Sequence, residues 1–178
     1  AFSFDQATYL FVTNYPKASG QTLSASAWVN VNAGMAGSGL GLSFVQNSDG
    51  ALRQEQTLPG GGISGQFAIG LVPDVADPNI YRLRAAVMVG PNRVEAIAAN
   101  TFTLGAWQQV AFSADGAQLR LYVNGVEVAS ADYAGNVATP SVQFLSMGAV
   151  LTVDYTDTNN IIIAPDLTNP NYLNGPLD

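Results

Sequence analysis

The stretch Trp107–Gly125, WQQVAFSADGAQLRLYVNG, has the clearest structural pattern in the chain. Hydrophobic and polar residues alternate along it, as they do in strands that bury one face. Asp115-Gly116 and Asn124-Gly125 interrupt the alternation. Asn-Gly is the preferred two-residue hairpin turn, because both central residues need positive φ. The pattern continues to Ala131, so it predicts three consecutive antiparallel strands.

Short alternating segments extend outward from this stretch in both directions. The segment 22–31, TLSASAWVNV, alternates Leu, Ala and Val with Ser, Trp and Asn. Loop-forming stretches at 58–65 and 73–78 are rich in Gly or Pro, and no convincing amphipathic helix appears. About a dozen short strands with turn signals every 8–12 residues or so are typical of a sandwich. The sequence therefore predicts one all-β domain over residues 1–178, a two-sheet antiparallel β-sandwich.

The composition excludes several classes of function. The chain has no His and no Cys, so disulfides, thiolate metal sites and Ser-His or Cys-His nucleophiles are absent. Six Lys and Arg stand against thirteen Asp and Glu, with a net charge of −7, which leaves no basic stripe for nucleic acid. No apolar run reaches the roughly 18 residues that span a bilayer, so we expect no membrane insertion.

Several motifs, taken together, resemble a known family. The W-x-x-V-A strand, D-G turn and L-x-L-Y-V-N-G strand of residues 107–125 resemble the central hairpin of laminin-G-like, concanavalin A-like jelly-roll domains. Weaker similarities follow in the family's order at Phe4-Asp5, Tyr9-Leu10, Leu23–Val29 and Leu173–Asp178. The resemblance covers nearly the whole chain and implies two antiparallel sheets in a jelly roll.

The sequence departs from the family pattern at two places. Gln6 stands where the opening motif usually has Gly. The family continues past the closing Asp into a final strand, whereas the sequence ends at Asp178. We therefore expect either a fragment of a longer protein or an open sheet edge that accepts a strand from a neighbouring chain.

The glutamates argue against catalysis. Glycoside hydrolases of related folds place two carboxylates about 5 Å apart, usually within an E-x-D-x-x-E strand. The chain has only Glu55, Glu95 and Glu127, and none lies in that pattern. Glu95 is two residues from Arg93, a spacing typical of a solvated ion pair. The sequence predicts a domain without catalytic residues.

Calcium is the one candidate cofactor. Some laminin-G-like domains bind it through Asp side chains and loop carbonyls, because hard cations prefer oxygen ligands. The richest oxygen cluster lies at 154–160 and ends in Asn159-Asn160; its candidate metal ligands are Asp154, Asp157 and Asn159. Asp74 and Asp77 form a second cluster. The alternative interpretation is that these side chains form turns by bonding to their own backbone.

Aromatic residues near loops are candidates for stacking on sugar rings. Tyr155 and Tyr133, with the amide of Asn159, are the candidate ligand-binding residues. Tyr81 and Tyr172 also lie near predicted loops. This lectin hypothesis rests on fold resemblance and loop composition.

The remaining large aromatic residues are expected to lie inside the sandwich. In this fold, Trp28 and Trp107 are more often core residues than ligand contacts, and the same is expected of Tyr122. We therefore expect all three to fill the space between the sheets.

Two functions remain open. The first is a non-catalytic binding module, outside cells or on a particle surface, that recognises carbohydrate or a cell-surface protein. The second is a structural component of a virion, filament or surface layer that associates with copies of itself. Low charge and the truncated closing strand favour assembly, whereas the family resemblance favours binding.

Overall fold

The computed structural model describes residues 1–35, 41–48, 57–58, 62–63, 65–139, 144–154, 162–165 and 172–178. The strands are, in chain order, β1 (Phe2–Asp5), β2 (Leu10–Val12), β3 (Thr22–Val29), β4 (Leu42–Ser48), β5 (Thr57–Leu58), β6 (Gly62–Ile63), β7 (Gly65–Pro73), β8 (Tyr81–Val89), β9 (Asn92–Ile97), β10 (Gln108–Asp115), β11 (Gln118–Val123), β12 (Val126–Asp132), β13 (Leu145–Met147), β14 (Leu151–Asp154), β15 (Ile162–Pro165) and β16 (Asn174–Leu177). One 3-10 turn spans Ala33–Met35. No helix in these ranges has the length and apolar character needed to cross a bilayer.

Two six-stranded antiparallel sheets form the body of the fold. The first sheet has the order β1-β16-β3-β10-β11-β12, and the second has the order β2-β13-β4-β7-β8-β9. The pairs β14-β15 and β5-β6 form two-stranded ribbons. This architecture confirms the predicted all-β, two-sheet antiparallel sandwich.

The hairpin strands of the first sheet follow the sequence pattern. β10, β11 and β12 are consecutive neighbours, as the alternation predicted. Gly116 has φ +94°, and Asn124 and Gly125 have φ +51° and +78°. Positive φ at both residues of the Asn-Gly turn is the requirement of a type I′ hairpin. Local residue chemistry therefore accounts for this part of the sheet.

The core lies between the two sheets. Leu23, Ala27 and Val29 of β3 are buried in it, while the alternate residues Ser24, Ser26 and Trp28 point outward. The rings of Phe67, in the second sheet, and Phe112, in the first, lie 5.4 Å apart between centroids. This contact between the sheets joins elements that are distant in sequence.

The closing segment lies inside the first sheet. β16 is placed between β1 and β3, and Gly175 pairs with Phe4. The backbone amide of Asn30 donates to the carbonyl of Pro176 at 2.9 Å, and that of Asn32 to Asn174 at 2.8 Å. The closing motif is thus an interior strand. The expected strand from a neighbouring chain stays a prediction.

Candidate functional site

Two tryptophans lie on the outer face of the first sheet, contrary to the expectation that they are core residues. Trp28 is 48% exposed and Trp107 is 44% exposed. Ala27 and Val29 point into the core, so the side chain between them must point outward. The same alternation turns Gln108 inward and Trp107 outward. The two-residue alternation of the strands therefore decided the direction of both side chains, against the general preference of Trp for burial.

The register brings the two tryptophans together. Trp28 of β3 is directly opposite Gln109 of β10. Trp107 lies two residues before Gln109, so the two tryptophans are diagonal neighbours, a relation that separates Cα atoms by about 7–8 Å. Both rings line an open pocket of about 370 Å³, together with Ala1 and Asp178. We call this surface the tryptophan groove.

Polar side chains border the tryptophan groove. Asp178 forms two backbone hydrogen bonds with Trp28, of 2.6 and 2.7 Å, so the two residues are direct neighbours on the outer face. One Asp178 carboxylate oxygen lies 3.1 Å from the amino group of Ala1. Gln109, directly opposite Trp28, and Asn30, two residues after Trp28, follow the same outer face, and their side-chain amides form no hydrogen bond with any residue in the described ranges. They are therefore available to an external ligand.

The opposite end of the same face has its polar groups paired internally. Arg120 donates to Asp115 at 2.5 Å and to the side-chain oxygen of Gln118 at 2.7 Å. Gln118 in turn donates to Asp132 at 2.7 Å, and Glu127 lies 3.9 Å from Arg120. Because these groups satisfy one another, the end that carries the tryptophan groove is the more open to a ligand.

Asp115 is strongly stabilised as the carboxylate at this paired end. Its Oδ1 accepts hydrogen bonds from the backbone amides of Gln118 and Ala117, at 2.8 and 2.9 Å. These bonds, with a smaller contribution from the Arg120 guanidinium, lower the pKa of Asp115 to about 2. Hydrogen bonds to the charged form of a carboxyl lower its pKa.

We expect Asp115→Asn to make the protein less stable near neutral pH, with a difference that disappears in acid. A carboxyl whose pKa is depressed by folding stabilises the protein above its unfolded pKa, near 3.8, and loses that contribution as pH falls towards 2. Thermal melts of both proteins at pH 6, 4, 3 and 2 measure the difference. A difference in melting temperature that stays constant across this range would contradict the assignment.

Tyr133, a predicted sugar-binding residue, is half-buried at the far end of β3 and β10. Its hydroxyl accepts a hydrogen bond from the Gly116 amide at 2.7 Å and donates to the Gln21 carbonyl at 3.0 Å. These bonds join the Asp-Gly turn to the start of β3. The structure does not bring Tyr133 to the tryptophan groove, and its contact with sugar stays a prediction.

The other predicted ligand residues are concentrated around 154–159. Tyr155, Asp157 and Asn159 lie outside the described residues. Asp154 ends β14, where its backbone pairs with Ile162. Among the side chains that the structure describes, no group of three or more acidic residues is placed to hold a metal ion. The calcium site stays a prediction.

The second acidic pair is engaged in its own turn. Asp74 accepts a hydrogen bond from the Ala76 amide at 2.8 Å, and Asp77 accepts one from the Asn79 amide at 2.9 Å. Arg82 also pairs with Asp74. These contacts match the interpretation that the two carboxyls form turns.

Three other tyrosines for which the sequence made a prediction differ in burial. Tyr81 is only 1% exposed and its hydroxyl donates to the Met35 carbonyl at 3.1 Å, so its prediction as a loop residue for sugar was wrong. Its position in β8 accounts for the burial. Tyr172 is half-buried against a small cluster. Tyr122 is half-buried on the outer face, opposite Ala111, so its core prediction was also wrong.

The two glutamates with described side chains belong to different sheets. Glu95 in the second sheet pairs with Arg93 at 3.0 Å and lies 3.4 Å from Arg84. The predicted Arg93–Glu95 ion pair is therefore present, and a second arginine shares the carboxylate. Glu127 in the first sheet lies near Arg120. The two carboxylates do not face each other across one surface.

Several solved structures are similar to this chain. Domain 4 of AbnA, a GH43 extracellular arabinanase from Geobacillus stearothermophilus solved with arabinotriose, is 20% identical with a TM-score of 0.55, over 99% of this chain and 66% of that one. A putative carbohydrate binding protein from Bacteroides ovatus is 14% identical with a TM-score of 0.63, over 99% and 40%. Domains LG4-5 of the mouse laminin alpha1 chain are 14% identical with a TM-score of 0.59, over 98% and 38%. The chain thus spans less than two thirds of the length of each.

The family assignment comes from the sequence comparison. No curated protein matches the chain. A laminin-G family model, described as the concanavalin A-like lectin/glucanases superfamily, matches residues 4–160. That match covers most of the chain, and the sandwich agrees with it. The chain therefore belongs to the laminin-G branch of the concanavalin A-like lectin/glucanases superfamily.

Proposed function

We propose that this chain is a non-catalytic carbohydrate-binding module that acts outside cells, and that the tryptophan groove is its binding site. The observation that carries the proposal is the pair of adjacent, half-exposed indole rings, Trp28 and Trp107. Exposed aromatic rings bind the apolar faces of sugars because they offer a large, rigid apolar surface at low entropic cost. Ligand sites combine such a surface with a few polar groups that fix orientation.

The polar border of the groove suits sugar hydroxyls. The Asn30 and Gln109 amides can each donate and accept, and the Asp178 carboxylate accepts. Sugars present closely spaced hydroxyls that need both kinds of partner. The net charge of −7 favours neutral over acidic glycans, since the protein field repels anions.

The comparisons support the same class of ligand. One similar structure contains arabinotriose and belongs to an extracellular enzyme, and another is described as a putative carbohydrate binding protein. The absence of catalysis is supported by the position of Glu95 and Glu127 in different sheets. Retaining glycosidases need two carboxyls about 5 Å apart on the same surface.

Intrinsic fluorescence offers a direct test, because the chain's only two tryptophans, Trp28 and Trp107, both line the groove. Titration with neutral oligosaccharides, including arabino-, xylo- and cello-oligosaccharides, is expected to change the emission in a saturable way. Calorimetry then measures affinity. Trp28→Ala and Trp107→Ala are each expected to weaken binding about tenfold or more, as buried aromatic contacts do at binding sites.

Phe11→Ala provides the matched control, since Phe11 is an aromatic residue of similar exposure (45%) in the second sheet. It is expected to leave glycan affinity unchanged. Repeating the titration with calcium and with a chelator tests our proposal that Asp154, Asp157 and Asn159 bind calcium. Undiminished glycan binding by the Trp28→Ala, Trp107→Ala double variant would overturn the assignment of the groove.

Assembly is the second candidate function. Phe2 of β1 and both Phe11 and Val12 of β2 are exposed apolar residues on strands that lie at the edges of the two sheets. Exposed apolar edges favour pairing with a second chain. If the purified protein binds no glycan and elutes as an oligomer, assembly becomes the better supported of the two functions.

A further inference from the structure

A second concavity lies between the two sheets, apart from the tryptophan groove. It is a partly open pocket of about 210 Å³. Its walls include Leu83, Ala98 and Phe102 on one side and Val123 and Val128 on the other. Exposed Asn100 and Thr101 lie at its rim. The wall is thus apolar, and the pocket is open to solvent on one side.

The segment after β9 forms part of this pocket. β9 ends at Ile97, and the chain then follows β8, with hydrogen bonds from the Ala98 amide to Leu83 at 2.9 Å and from the Phe102 amide to Tyr81 at 2.7 Å. Residues 98–102 therefore run beside β8 after β9 ends, and they supply Ala98 and Phe102 to the pocket wall.

A bulge on the opposite wall adds to the opening. Leu121 pairs with Ala129 and Tyr122 with Glu127, which leaves Val128 as an extra residue without a partner. Bulges change the direction in which side chains point, and they occur often next to active sites. Val128 is half-buried and lines the pocket. The bulge thus contributes an apolar residue to the wall.

One polar side chain of this wall is more than nine-tenths buried. Gln108 is 8% exposed, and its amide nitrogen donates to the Thr103 carbonyl at 2.6 Å. No residue in the described part of the chain donates to its Oε1. Inside the polar rim of Asn100 and Thr101, the pocket lining is therefore apolar apart from Gln108, whose Oε1 is open to a donor.

We propose that this pocket binds a small apolar molecule that carries one hydroxyl, such as an aromatic or short aliphatic alcohol. Its apolar part fills the space between the sheets, and its hydroxyl donates to Oε1 of Gln108. A dry apolar cavity of about 150 Å³ holds benzene, so this volume accepts a ring with a substituent. An acceptor that the bound ligand covers favours ligands that carry a donor, because it would otherwise lose its partner. The site is independent of glycan binding, because Trp107 and Gln108 point to opposite faces of the sheet.

Benzyl alcohol and toluene form a matched pair of probes, because they differ chiefly in the hydroxyl. Two-dimensional amide NMR of the labelled protein is expected to show shifts at the pocket residues with both probes. Benzyl alcohol is expected to bind about tenfold more tightly. Gln108→Leu is expected to remove that preference while toluene still binds.

Val128→Phe is a second variant, designed to fill the pocket from its bulged, half-buried wall without removing the acceptor. This variant is expected to weaken the binding of both probes. The wild-type NMR map tests the proposal even if a variant fails to fold. Shifts confined to other surfaces, no binding of either probe at millimolar concentration, or an equal affinity for both probes would overturn it. Glycan titration of the same sample distinguishes this outcome from failure of the tryptophan groove.

Discussion

Gly175→Ala is expected to lower the free energy of unfolding by about 3 kcal/mol or more. Gly175 has φ +135°, a conformation that L residues rarely adopt. An added Cβ would lie 2.0 Å from the carbonyl oxygen of Asn30 and 3.1 Å from the amide nitrogen of Asn32. Both atoms belong to the backbone, so no rotation of a flexible side chain relieves the clash. β16 must move away from β3.

The effect is measured by denaturant unfolding, with Gly125→Ala as the matched control. Gly125 also has positive φ, +78°, but a Cβ there meets no atom within 4 Å. The Gly125→Ala control is expected to lose about 1 kcal/mol in its free energy of unfolding, which is the cost of holding alanine at positive φ. Because Asp178 pairs with Trp28, displacement of β16 is also expected to shift the emission of Trp28. Equal losses in the two variants would show that β16 tolerates the added methyl group.

Phe112→Ala is expected to cost about 3–5 kcal/mol of stability, as removal of a large buried aromatic side chain does. Phe112 is 1% exposed in β10, and its ring meets that of Phe67 in the second sheet. Alanine would leave a cavity in the middle of the contact between the sheets. Neither sheet can close that cavity without changing its register.

The exposed ring of Phe11 is the control for this substitution. Phe11→Ala removes the same side chain at a position that is 45% exposed, so a loss below about 1 kcal/mol is expected. Equilibrium unfolding of both variants gives the comparison. A loss in Phe112→Ala as small as in Phe11→Ala would mean that the two sheets do not depend on this contact.

The sequence alone predicted the fold because its signals are local. The alternation from Trp107 to Ala131 and the Asn124-Gly125 turn set strand length and turn type between neighbouring residues. The order of the family motifs added the prediction of a jelly roll, and the family comparison confirms that prediction. These features need no knowledge of which distant strands pair.

The sequence also held a signal for the tryptophan groove that the general burial preference of Trp obscured. Within 22–31, Trp28 alternates in phase with Ser24, Ser26 and Asn30, which are residues of a solvent face. Applying the strand period strictly would have predicted its exposure. Trp107 carried a weaker form of the same signal, because it is in phase with Gln109 and Ser113 but stands just before the first residue of β10.

What the sequence by itself determined is therefore the strand pattern, the turns, the family and the classes of chemistry excluded by the lack of His and Cys. Only the tertiary structure decided which residues meet. Asp178 lies beside Trp28, and Gln108 and Val128 line one pocket. The physical reason is that strand order, register and bulges arise from long-range pairing, which the alternation of a single strand does not encode.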